Sequence, residues 1–189
     1  DPSIHAMRYE DAADAVVRGC SIVYARIHDL RKMIEAIQTH ADARMAPPKV
    51  EREATWSPPP DQSVDALTML RVFGGEMVGA IDCRDLDIRV SIWLATCFAV
   101  KAQFDRASFA GHSRFQNARF ACHTSFDETH FLADTRFDMT AFAAHSRFVG
   151  TRFAARASFD WARFKADAWF AKAYFVADVS FESATFDAE

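Results

Sequence analysis

The side chains of this sequence that are best suited to chemistry lie in FDETHF, residues 126–131. Asp127, Glu128 and His130 could together supply acid–base groups. Asp127 and Glu128 are adjacent, however, so in an extended chain they point to opposite sides. The sequence also lacks the G-x-S-x-G, P-loop and H-E-x-x-H motifs. We therefore expect no catalytic residues, no cofactor and no enzyme activity.

The elements that must position these groups follow from the spacing of phenylalanine. Sixteen of the eighteen phenylalanines form one series in which steps of five and six residues alternate. The series comprises Phe104, Phe109, Phe115, Phe120, Phe126, Phe131, Phe137, Phe142, Phe148, Phe153, Phe159, Phe164, Phe170, Phe175, Phe181 and Phe186. A small or β-branched residue stands two places before every member, from Ala102 to Ala184. The repeating unit is therefore eleven residues long.

This repeat fits an extended chain and not a helix. On a helix, at about 100° per residue, phenylalanines five residues apart would lie roughly 140° apart, so no single apolar stripe would form. In an extended chain, residues two apart face the same way, so each small-x-Phe triplet can bury both of its ends. Short extended segments with a corner every five or six residues are typical of a parallel β-solenoid.

The triplets in ASFAG, ARFAC and ARASF resemble those of the pentapeptide-repeat family, whose central residue is Phe or Leu with a small residue two places earlier. The resemblance covers residues 79–189 and implies a mainly β fold, a right-handed, four-sided parallel β-helix. Every second side carries one extra residue, as in AGH, ACH and LAD. The chain is therefore similar to a phenylalanine-rich variant, in which two eleven-residue units make a coil of about 22 residues.

Residues 22 apart in such a coil would stack about 4.8 Å from one another. Two inward ladders are expected on opposite sides, Phe104, Phe126, Phe148 and Phe170 on one and Phe115, Phe137, Phe159 and Phe181 on the other. Because the interior would consist of stacked aromatic rings, the ladders should supply most of the hydrophobic stabilisation.

The same stacking aligns polar residues at the corners. His123, His145 and Asp167 would share one edge, where imidazole and carboxylate groups could hold zinc or nickel. The opposite edge would carry His112, Asp134, Arg156 and Asp178, whose alternating charges predict a weak ladder of ion pairs. The alternative for both edges is a solvated corner at which polar residues tolerate the bend, and we expect no metal site.

An acidic row beside two arginines suggests a possible partner. Asp138, Asp160 and Glu182 lie beside Arg114 and Arg136 in the repeat. Some pentapeptide-repeat proteins imitate duplex DNA and bind type II topoisomerases such as gyrase, which depends on a strongly acidic rod. From residue 100 onward this sequence has eleven acidic and eleven basic side chains. The resemblance therefore implies a gyrase binder only as an alternative to a non-enzymatic scaffold that binds other proteins.

Two segments precede the repeat region. Residues 46–61 are rich in proline and predict a linker. Residues 62–78 predict a capping helix for the open end of the solenoid, with Ser63 or Asp61 as its N-cap and Gly74–Gly75 as its stop.

The repeat also continues less regularly upstream of Phe104. Ile81, Leu86, Ile92 and Phe98 follow one another at steps of five and six residues. They predict a first, irregular coil in which they hold the central position. The apolar run at 90–100 would be a buried turn of that coil, since it is too short to span a bilayer.

Residues 1–45 carry a heptad pattern typical of an amphipathic or coiled-coil helix, with apolar residues at steps of three and four from Ala13 to Ala41. In one interpretation this helix packs on its own solenoid. In the other it joins two chains through Val16, Val23, Ile27, Leu30, Ile34 and Ile37. The C-terminal coil is a second possible route to self-association, because the aromatic series continues to Phe186 with no covering helix. We expect the chain to self-associate.

Composition sets the remaining expectations. Half of the 189 residues are apolar and a quarter are charged, which is typical of a globular chain. The four cysteines lack a C-x-x-C spacing and predict free thiols in the cytoplasm. No basic and apolar leader precedes Met7, and we expect no membrane segment. The balanced repeat region lacks the basic stripe of a nucleic-acid-binding protein, so the partners are expected to be proteins.

Overall fold

The structure, a computed structural model, describes residues 13, 16–17, 22–23, 26–45 and 69–187. The fold is mainly β: a parallel solenoid of about five turns, with about 22 residues in each coil and one helix on its N-terminal side. The solenoid and the length of its coil confirm what the phenylalanine spacing predicts.

Six elements precede the regular repeat. They are β1 (Ile22–Val23), β2 (Arg26–Asp29), α1 (Leu30–Met45), β3 (Met69–Asp82), β4 (Asp87–Ile88) and β5 (Ser91–Phe98). Ala13, Val16 and Val17 are also helical. From residue 102 onward every strand is two residues long, and these short strands stack in parallel columns.

Four columns of parallel strands, which we name A to D, run along the solenoid. Column A contains the end of β3 (Ile81–Asp82), β6 (Ala102–Gln103), β10 (Thr124–Ser125), β14 (Ser146–Arg147) and β18 (Ala168–Trp169). Column B contains β4, β7 (Ser108–Phe109), β11 (His130–Phe131), β15 (Arg152–Phe153) and β19 (Tyr174–Phe175). Column C contains the start of β5, β8 (Ser113–Arg114), β12 (Thr135–Arg136), β16 (Ala157–Ser158) and β20 (Val179–Ser180). Column D contains the end of β5, β9 (Arg119–Phe120), β13 (Ala141–Phe142), β17 (Arg163–Phe164) and β21 (Thr185–Phe186).

Stacked phenylalanine rings fill the interior. In column C the ring centroid of Phe137 lies 4.8 Å from that of Phe115 and 4.9 Å from that of Phe159. Rings of different columns meet edge-on, as Phe137 and Phe148 do at 5.6 Å. Offset stacks and edge-to-face contacts are the arrangements that aromatic rings favour. Both predicted ladders are confirmed, with a spacing close to the distance between parallel strands.

The small residues two places before the phenylalanines also point inward. Where this residue is a threonine of column B or D (Thr129, Thr140 and Thr151), its hydroxyl donates a hydrogen bond to a phenylalanine carbonyl of the preceding coil. Thr129 Oγ1 lies 2.7 Å from the Phe104 oxygen, and Thr140 Oγ1 lies 2.7 Å from the Phe115 oxygen. The hydroxyl is therefore buried with a partner, and it joins two coils at the same time.

Two kinds of corner explain why steps of five and six residues alternate. After columns A and C the chain turns through a residue with a positive φ, at Arg106, Asn117, Glu128, Met139, Gly150, Trp161, Lys172 and Ser183. These residues are eleven apart, and their φ values lie between 55° and 67°. Along the same part of the chain, the corners after columns B and D have ordinary φ values and use one residue more. The left-handed conformation thus saves a residue, at a cost of about 1–2 kcal/mol for a residue with a Cβ atom.

The Met139→Ile substitution is expected to lower the free energy of unfolding by about 1–2 kcal/mol, because a β-branched side chain is poorly compatible with a left-handed backbone. The side chain of Met139 is 55% exposed, so lost packing contributes little. Met139→Asn should be neutral or stabilising, because asparagine tolerates this conformation. Guanidinium denaturation measures both changes. Leu132→Ile, at an exposed position with an ordinary φ, is the control, and an equal loss there would contradict the strain argument.

The first coil is irregular, as predicted, but its interior residues are shifted by two places. Ile81 pairs with Ala102 and therefore holds a small-residue position, while Cys83 lies level with Phe104. The prediction that Ile81, Leu86 and Ile92 hold the central position is wrong. The pairing distance between these coils is 21 residues instead of 22, as in Ile92 with Ser113, and sequence spacing alone does not reveal this difference.

Residues 69–82 form strand β3, so the capping helix predicted at 62–78 is wrong over residues 69–78. Residues 62–68 and the predicted linker at 46–61 lie outside the described residues. β3 pairs in parallel with β1 and β2 on one side and with β5 on the other. Gly74 and Gly75, with φ values of 66° and 71°, lie where the register with β5 shifts. They therefore form a bulge within the strand and do not end a helix.

The heptad pattern does not form one continuous helix. β1 and β2 interrupt it, and Ile27 pairs with Met77 of β3. Helix α1 then begins at Leu30, because the backbone N–H of Lys32 donates to Asp29 Oδ1 at 3.0 Å and so caps the first turn. The β-branched residues of the pattern suit strands equally well, which explains the wrong prediction of a helix there.

The apolar side of α1 faces the core of its own chain. Its buried side chains are Leu30, Met33, Ile34, Ile37 and Ala41, and Val16 and Ile27 of the heptad pattern are buried in the same core. These side chains lie in the core of their own chain, which agrees with the first of the two interpretations. Self-association of the chain stays a prediction. Nothing is described of the Val23 side chain. None of the helices that the structure describes is long and apolar enough to cross a membrane.

Helix α1 covers the open edge of the first coil. β4 is the edge strand of column B, since it pairs with β7 alone. The Gln38 side chain takes the place of the missing strand: Oε1 accepts a hydrogen bond from Arg89 N at 2.7 Å, and Nε2 donates to Asp87 O at 3.1 Å. The Arg89 guanidinium also pairs with Asp42 at 2.7 Å. The structure thus has a cap that solenoids require, in a segment other than the predicted one.

Candidate interaction surface

Polar residues on the outer faces of columns A and C join neighbouring coils. An aspartate that follows a phenylalanine accepts a hydrogen bond from the hydroxyl of a serine 20 residues later, in the pairs Asp105–Ser125, Asp138–Ser158 and Asp160–Ser180. The same carboxylate can accept a backbone N–H, as Asp160 Oδ1 does from Glu182 N at 2.9 Å. Each aspartate therefore fixes the outer surface of one coil to the next.

The pKa of Asp160 is lowered from its ordinary value, chiefly by the hydrogen bond from Ser180. The backbone N–H of Glu182, the Ser158 hydroxyl and the positive charge of Arg136 act in the same direction, while partial burial opposes them. A carboxyl group with a lowered pKa contributes stability above its unfolded-state pKa of about 4 and loses that stability as the pH falls through the folded-state pKa.

Asp160→Asn is therefore expected to make the stability of the protein depend less steeply on pH below about pH 4. The asparagine oxygen can still accept the Ser180 hydrogen bond, so stability at pH 7 should change little. Denaturation midpoints between pH 2 and pH 7 would test this, with a carboxyl NMR titration of Asp160 as a direct measurement. Identical acid profiles for the variant and the wild type would contradict the assignment.

A groove with a volume of about 290 Å³ opens on the outside of column C. It is lined by Arg136, Asp138, Arg156, Ala157, Ser158, Asp160, Asp178, Val179 and Ser180, and we call it the column C groove. The groove lies where the outward row of this column changes from arginine, at 114 and 136, to serine, at 158 and 180. The short serine side chains leave space, and the longer Arg136 side chain lines the groove.

Two guanidinium groups of this groove make no direct contact with a carboxylate in the part of the chain that the structure describes. Arg136 and Arg156 form neither an ion pair nor a side-chain hydrogen bond there, whereas Asp138 and Asp160 are engaged with serine hydroxyls. A guanidinium group can bind a carboxylate through two parallel hydrogen bonds. The column C groove can therefore bind an acidic group that comes from outside the chain.

The edge predicted from His123, His145 and Asp167 is confirmed as a stack. The two imidazole centroids lie 5.0 Å apart, and His145 Nδ1 lies 3.4 Å from Asp167 Oδ2. The His145 ring also packs against Trp169, at 5.3 Å. Rings that lie face to face do not direct their nitrogens toward a common point. Among the described residues no group of three or more such side chains could hold a metal ion.

The opposite edge differs from its prediction. The side chains of His112, Asp134, Arg156 and Asp178 follow one another along the corner between columns B and C. Within the described range these four side chains form no ion pair and no hydrogen bond with one another, so the predicted ladder of ion pairs is wrong. Charged side chains at an exposed corner gain little from pairing, and they remain available to other groups.

The acid–base residues of FDETHF do not form one site. Asp127 accepts hydrogen bonds from Arg147 Nε at 2.7 Å and from Val149 N at 3.0 Å. Glu128 is the corner residue with a φ of 56°, and His130 lies beyond the corner on column B. The corner therefore separates the three side chains.

The described cysteines are free. Cys83 is buried, and burial raises the pKa of its thiol to about 12. Burial also raises the pKa of Cys97, which is partly exposed, and Cys122 donates a weak hydrogen bond to Ala99 O. A raised pKa keeps a thiol protonated at neutral pH, so Cys83 and Cys97 are not activated nucleophiles.

The fold defines the chain as a β-solenoid repeat protein. No protein-family model, no curated protein and no solved structure matches it. The regular phenylalanine spacing is consistent with pentapeptide repeats.

Sequence reasoning missed the serine–aspartate pairs, the groove and the cap at Gln38. The pairs have a usable signal, because aspartate and serine recur 20 residues apart at positions 105/125, 138/158 and 160/180. The unpaired state of Arg136 and the fit of Gln38 on β4 have no such signal, since both depend on side-chain geometry.

Proposed function

We propose that this chain is a non-enzymatic interaction scaffold, built as a right-handed, four-sided β-helix of the pentapeptide-repeat type, and that it binds another protein through the column C groove. The spacing of the repeat and the four columns of parallel strands support this architecture. The free thiols of Cys83, Cys97 and Cys122 support a reducing compartment, the cytoplasm, as its location.

The observation that carries this proposal is the pair of unpartnered guanidinium groups in the column C groove, at Arg136 and Arg156. Arg136 stands on strand β12 and Arg156 in the corner directly before β16. Stacked rings and a serine–aspartate pair hold the backbone in place there, so only the two arginine side chains need to be ordered on binding. Arginine is enriched among the residues that dominate binding energy at protein interfaces. The expected partner segment carries a carboxylate, from Asp, Glu or a chain terminus.

Cross-linked affinity capture from a lysate tests this proposal, with Arg136→Glu as the variant and Arg119→Glu as the control. Arg119 belongs to the outward row of column D and undergoes the same charge change on another column. A partner bound through the groove should be retained by the wild type and by the Arg119 variant, and lost with the Arg136 variant. Equal retention by all three proteins would contradict binding at the groove. Near-ultraviolet circular dichroism checks that both variants are folded.

The alternative is a DNA-mimicking protein that binds gyrase, which the acidic row of Asp138, Asp160 and Glu182 supports. Elsewhere arginine neutralises the acids, as in the Arg106–Asp85 pair at 2.6 Å. A gyrase supercoiling assay with a drug that traps the enzyme on DNA separates the two functions. Fewer trapped complexes with the wild type than with a variant carrying Asp138→Asn and Asp160→Asn would support the alternative and contradict the scaffold.

A further inference from the structure

Directly after its phenylalanines column B carries an apolar strip, whereas column C carries polar residues at the same positions. The residues that follow the column B phenylalanines are Ala110, Leu132, Ala154 and Val176, and the next residues are Gly111, Ala133, Ala155 and Ala177. Leu132 is 51% exposed and Val176 is 50% exposed. Parallel sheets are normally covered on both faces, so an apolar outer face of this kind indicates an interaction surface.

Large and small residues alternate along this face. Ala110, Leu132, Ala154 and Val176 stand in successive coils, so their order along the solenoid axis is small, large, small, large. A two-fold axis that lies in the interface, perpendicular to the solenoid axis and level with the midpoint between residues 132 and 154, reverses this order in a second copy. Leu132 then lies opposite the small Ala154, and Val176 lies opposite Ala110. Such a self-complementary patch is what an isologous interface requires.

The charges beside the face obey the same symmetry. The corner row reads His112, Asp134, Arg156, Asp178. The same two-fold operation places Asp134 opposite Arg156 of the copy, and Asp178 opposite His112. None of these side chains has a partner within the described part of its own chain, so each is free to pair across the interface.

The other border of the face is compatible with this arrangement. Its row reads Ser108, His130, Arg152, Tyr174, so the reversal places Tyr174 opposite Ser108 and His130 opposite Arg152. A hydroxyl pair can form a hydrogen bond, and a neutral imidazole can accept one from a guanidinium. The Arg152 guanidinium already lies 5.2 Å from the centre of the Tyr174 ring of its own chain, which helps to hold it at the border.

Column D does not fit such a symmetry. The residues after its phenylalanines are Ala121, Ala143, Lys165 and Asp187. Reversal would bury the Lys165 ammonium against Ala143 and the Asp187 carboxylate against Ala121, and a buried charge without a partner is costly. The self-complementarity is therefore a property of column B, and it does not follow from the repeat alone.

We propose that the outer face of column B binds a second copy of this chain in an antiparallel arrangement, with Leu132 against Ala154 and Asp134 against Arg156 of the copy. This inference goes beyond the scaffold function, because it requires no other protein. Arg156 also lines the column C groove, but the mass of the assembly and the capture of a foreign partner are separate measurements.

Light scattering over a range of concentrations tests the proposal. The wild type is expected at twice the chain mass of 21.3 kDa at micromolar concentration. Asp134→Arg should weaken the dimer at least about tenfold, because it places two arginines together at two symmetric positions. Arg156→Asp should weaken it similarly. The double variant Asp134→Arg/Arg156→Asp should restore the dimer, because each contact regains opposite charges.

Further variants decide between this face and other contacts. Leu132→Asp should give a monomer, whereas Arg119→Asp on column D should leave the dimer unchanged. Phe186→Asp, on the last described coil, should also leave it unchanged, and loss of the dimer there would overturn the proposal in favour of the C-terminal coil. Circular dichroism confirms that each variant is folded.

Cross-linking gives the orientation independently. His112→Cys and Asp178→Cys proteins, mixed and oxidised, should form a mixed disulfide-linked dimer faster than either protein alone and faster than the wild type. Positions 112 and 178 of one chain are three coils apart, so they cannot link within that chain. A wild-type monomer at all concentrations, a double charge variant that stays monomeric, or no preference for the 112–178 link would each overturn the antiparallel dimer.

Discussion

Replacing Phe137 by alanine is expected to lower the free energy of unfolding by about 3–5 kcal/mol. The Phe137 ring is fully buried and stacks between Phe115 and Phe159, at 4.8 and 4.9 Å. It also meets Phe126 and Phe148 edge-on, at 5.5 and 5.6 Å. The strands above and below the site are joined by backbone hydrogen bonds, so the coils cannot close around the hole. The cavity term should therefore add almost fully to the lost burial.

Chemical denaturation measures this loss, with two controls. Phe186→Ala makes the same chemical change at the last ring of its ladder, where the side chain is 52% exposed, and should cost clearly less. Gln116→Ala removes an outward side chain with one hydrogen bond, to Asp138 at 3.0 Å, and should cost about 1 kcal/mol or less. If Phe137→Ala shifted the midpoint no more than Gln116→Ala does, the inward ladder would be contradicted.

The solenoid could be predicted from the sequence because its interior repeats one environment. Each phenylalanine has equivalent neighbours 22 residues away, so one residue type recurs at one spacing, as Phe104, Phe126 and Phe148 do. The extra residue on alternate sides was also visible. Its cause, a left-handed residue at positions such as Asn117, was not visible, because most of the residues there are not glycine or asparagine.

The N-terminal part could not be predicted in the same way, because different structures share its pattern. Leu70 and Phe73 are three residues apart, which suggests a helix, yet Leu70 and Val72 are both buried in strand β3. The strand is selected by its neighbours β1, β2 and β5, a tertiary effect that local spacing does not contain. The heptad was likewise a correct indication of burial, but it did not identify what covers Ile34.

The positions of the polar surface residues could be predicted from the sequence, but their ion pairs and hydrogen bonds could not. Stacking at 22 residues correctly placed His123 beside His145 and placed Asp134, Arg156 and Asp178 along one corner. Whether such groups pair depends on side-chain directions at a corner, which the repeat does not determine. The pairs that do form join an aspartate to a serine 20 residues later, as in Asp160 with Ser180. The aspartate directly follows a phenylalanine, and the serine directly precedes the phenylalanine of the next coil. Both side chains point outward from neighbouring strands, so they can meet.

Gln38→Leu is expected to lower the free energy of unfolding by about 2–4 kcal/mol, because it leaves buried polar groups without partners. The Gln38 side chain is only 8% exposed, and its amide serves both Arg89 N and Asp87 O on the edge strand β4. Leucine has a similar size and suits a helix, so the lost hydrogen bonds should account for most of the effect. Gln103→Leu, which makes the same change on the outside of column A, is the control and should cost much less.

Gln38→Glu separates hydrogen bonding from packing through its pH dependence. An ionised carboxylate can accept from Arg89 N, but it has no proton to donate to Asp87 O, so the two oxygens repel. The pKa of the introduced carboxyl group should therefore be raised in the folded state. A raised carboxyl pKa costs stability at pH 7. The deficit relative to the wild type should shrink as the pH falls through the raised pKa, and its charge-dependent part should be absent below the unfolded-state pKa of about 4. Denaturation at pH 7 and pH 3.5 measures both deficits. An equal loss of unfolding free energy at both pH values, or no loss for Gln38→Leu, would show that the Gln38 amide does not replace the hydrogen bonds of a neighbouring strand on β4.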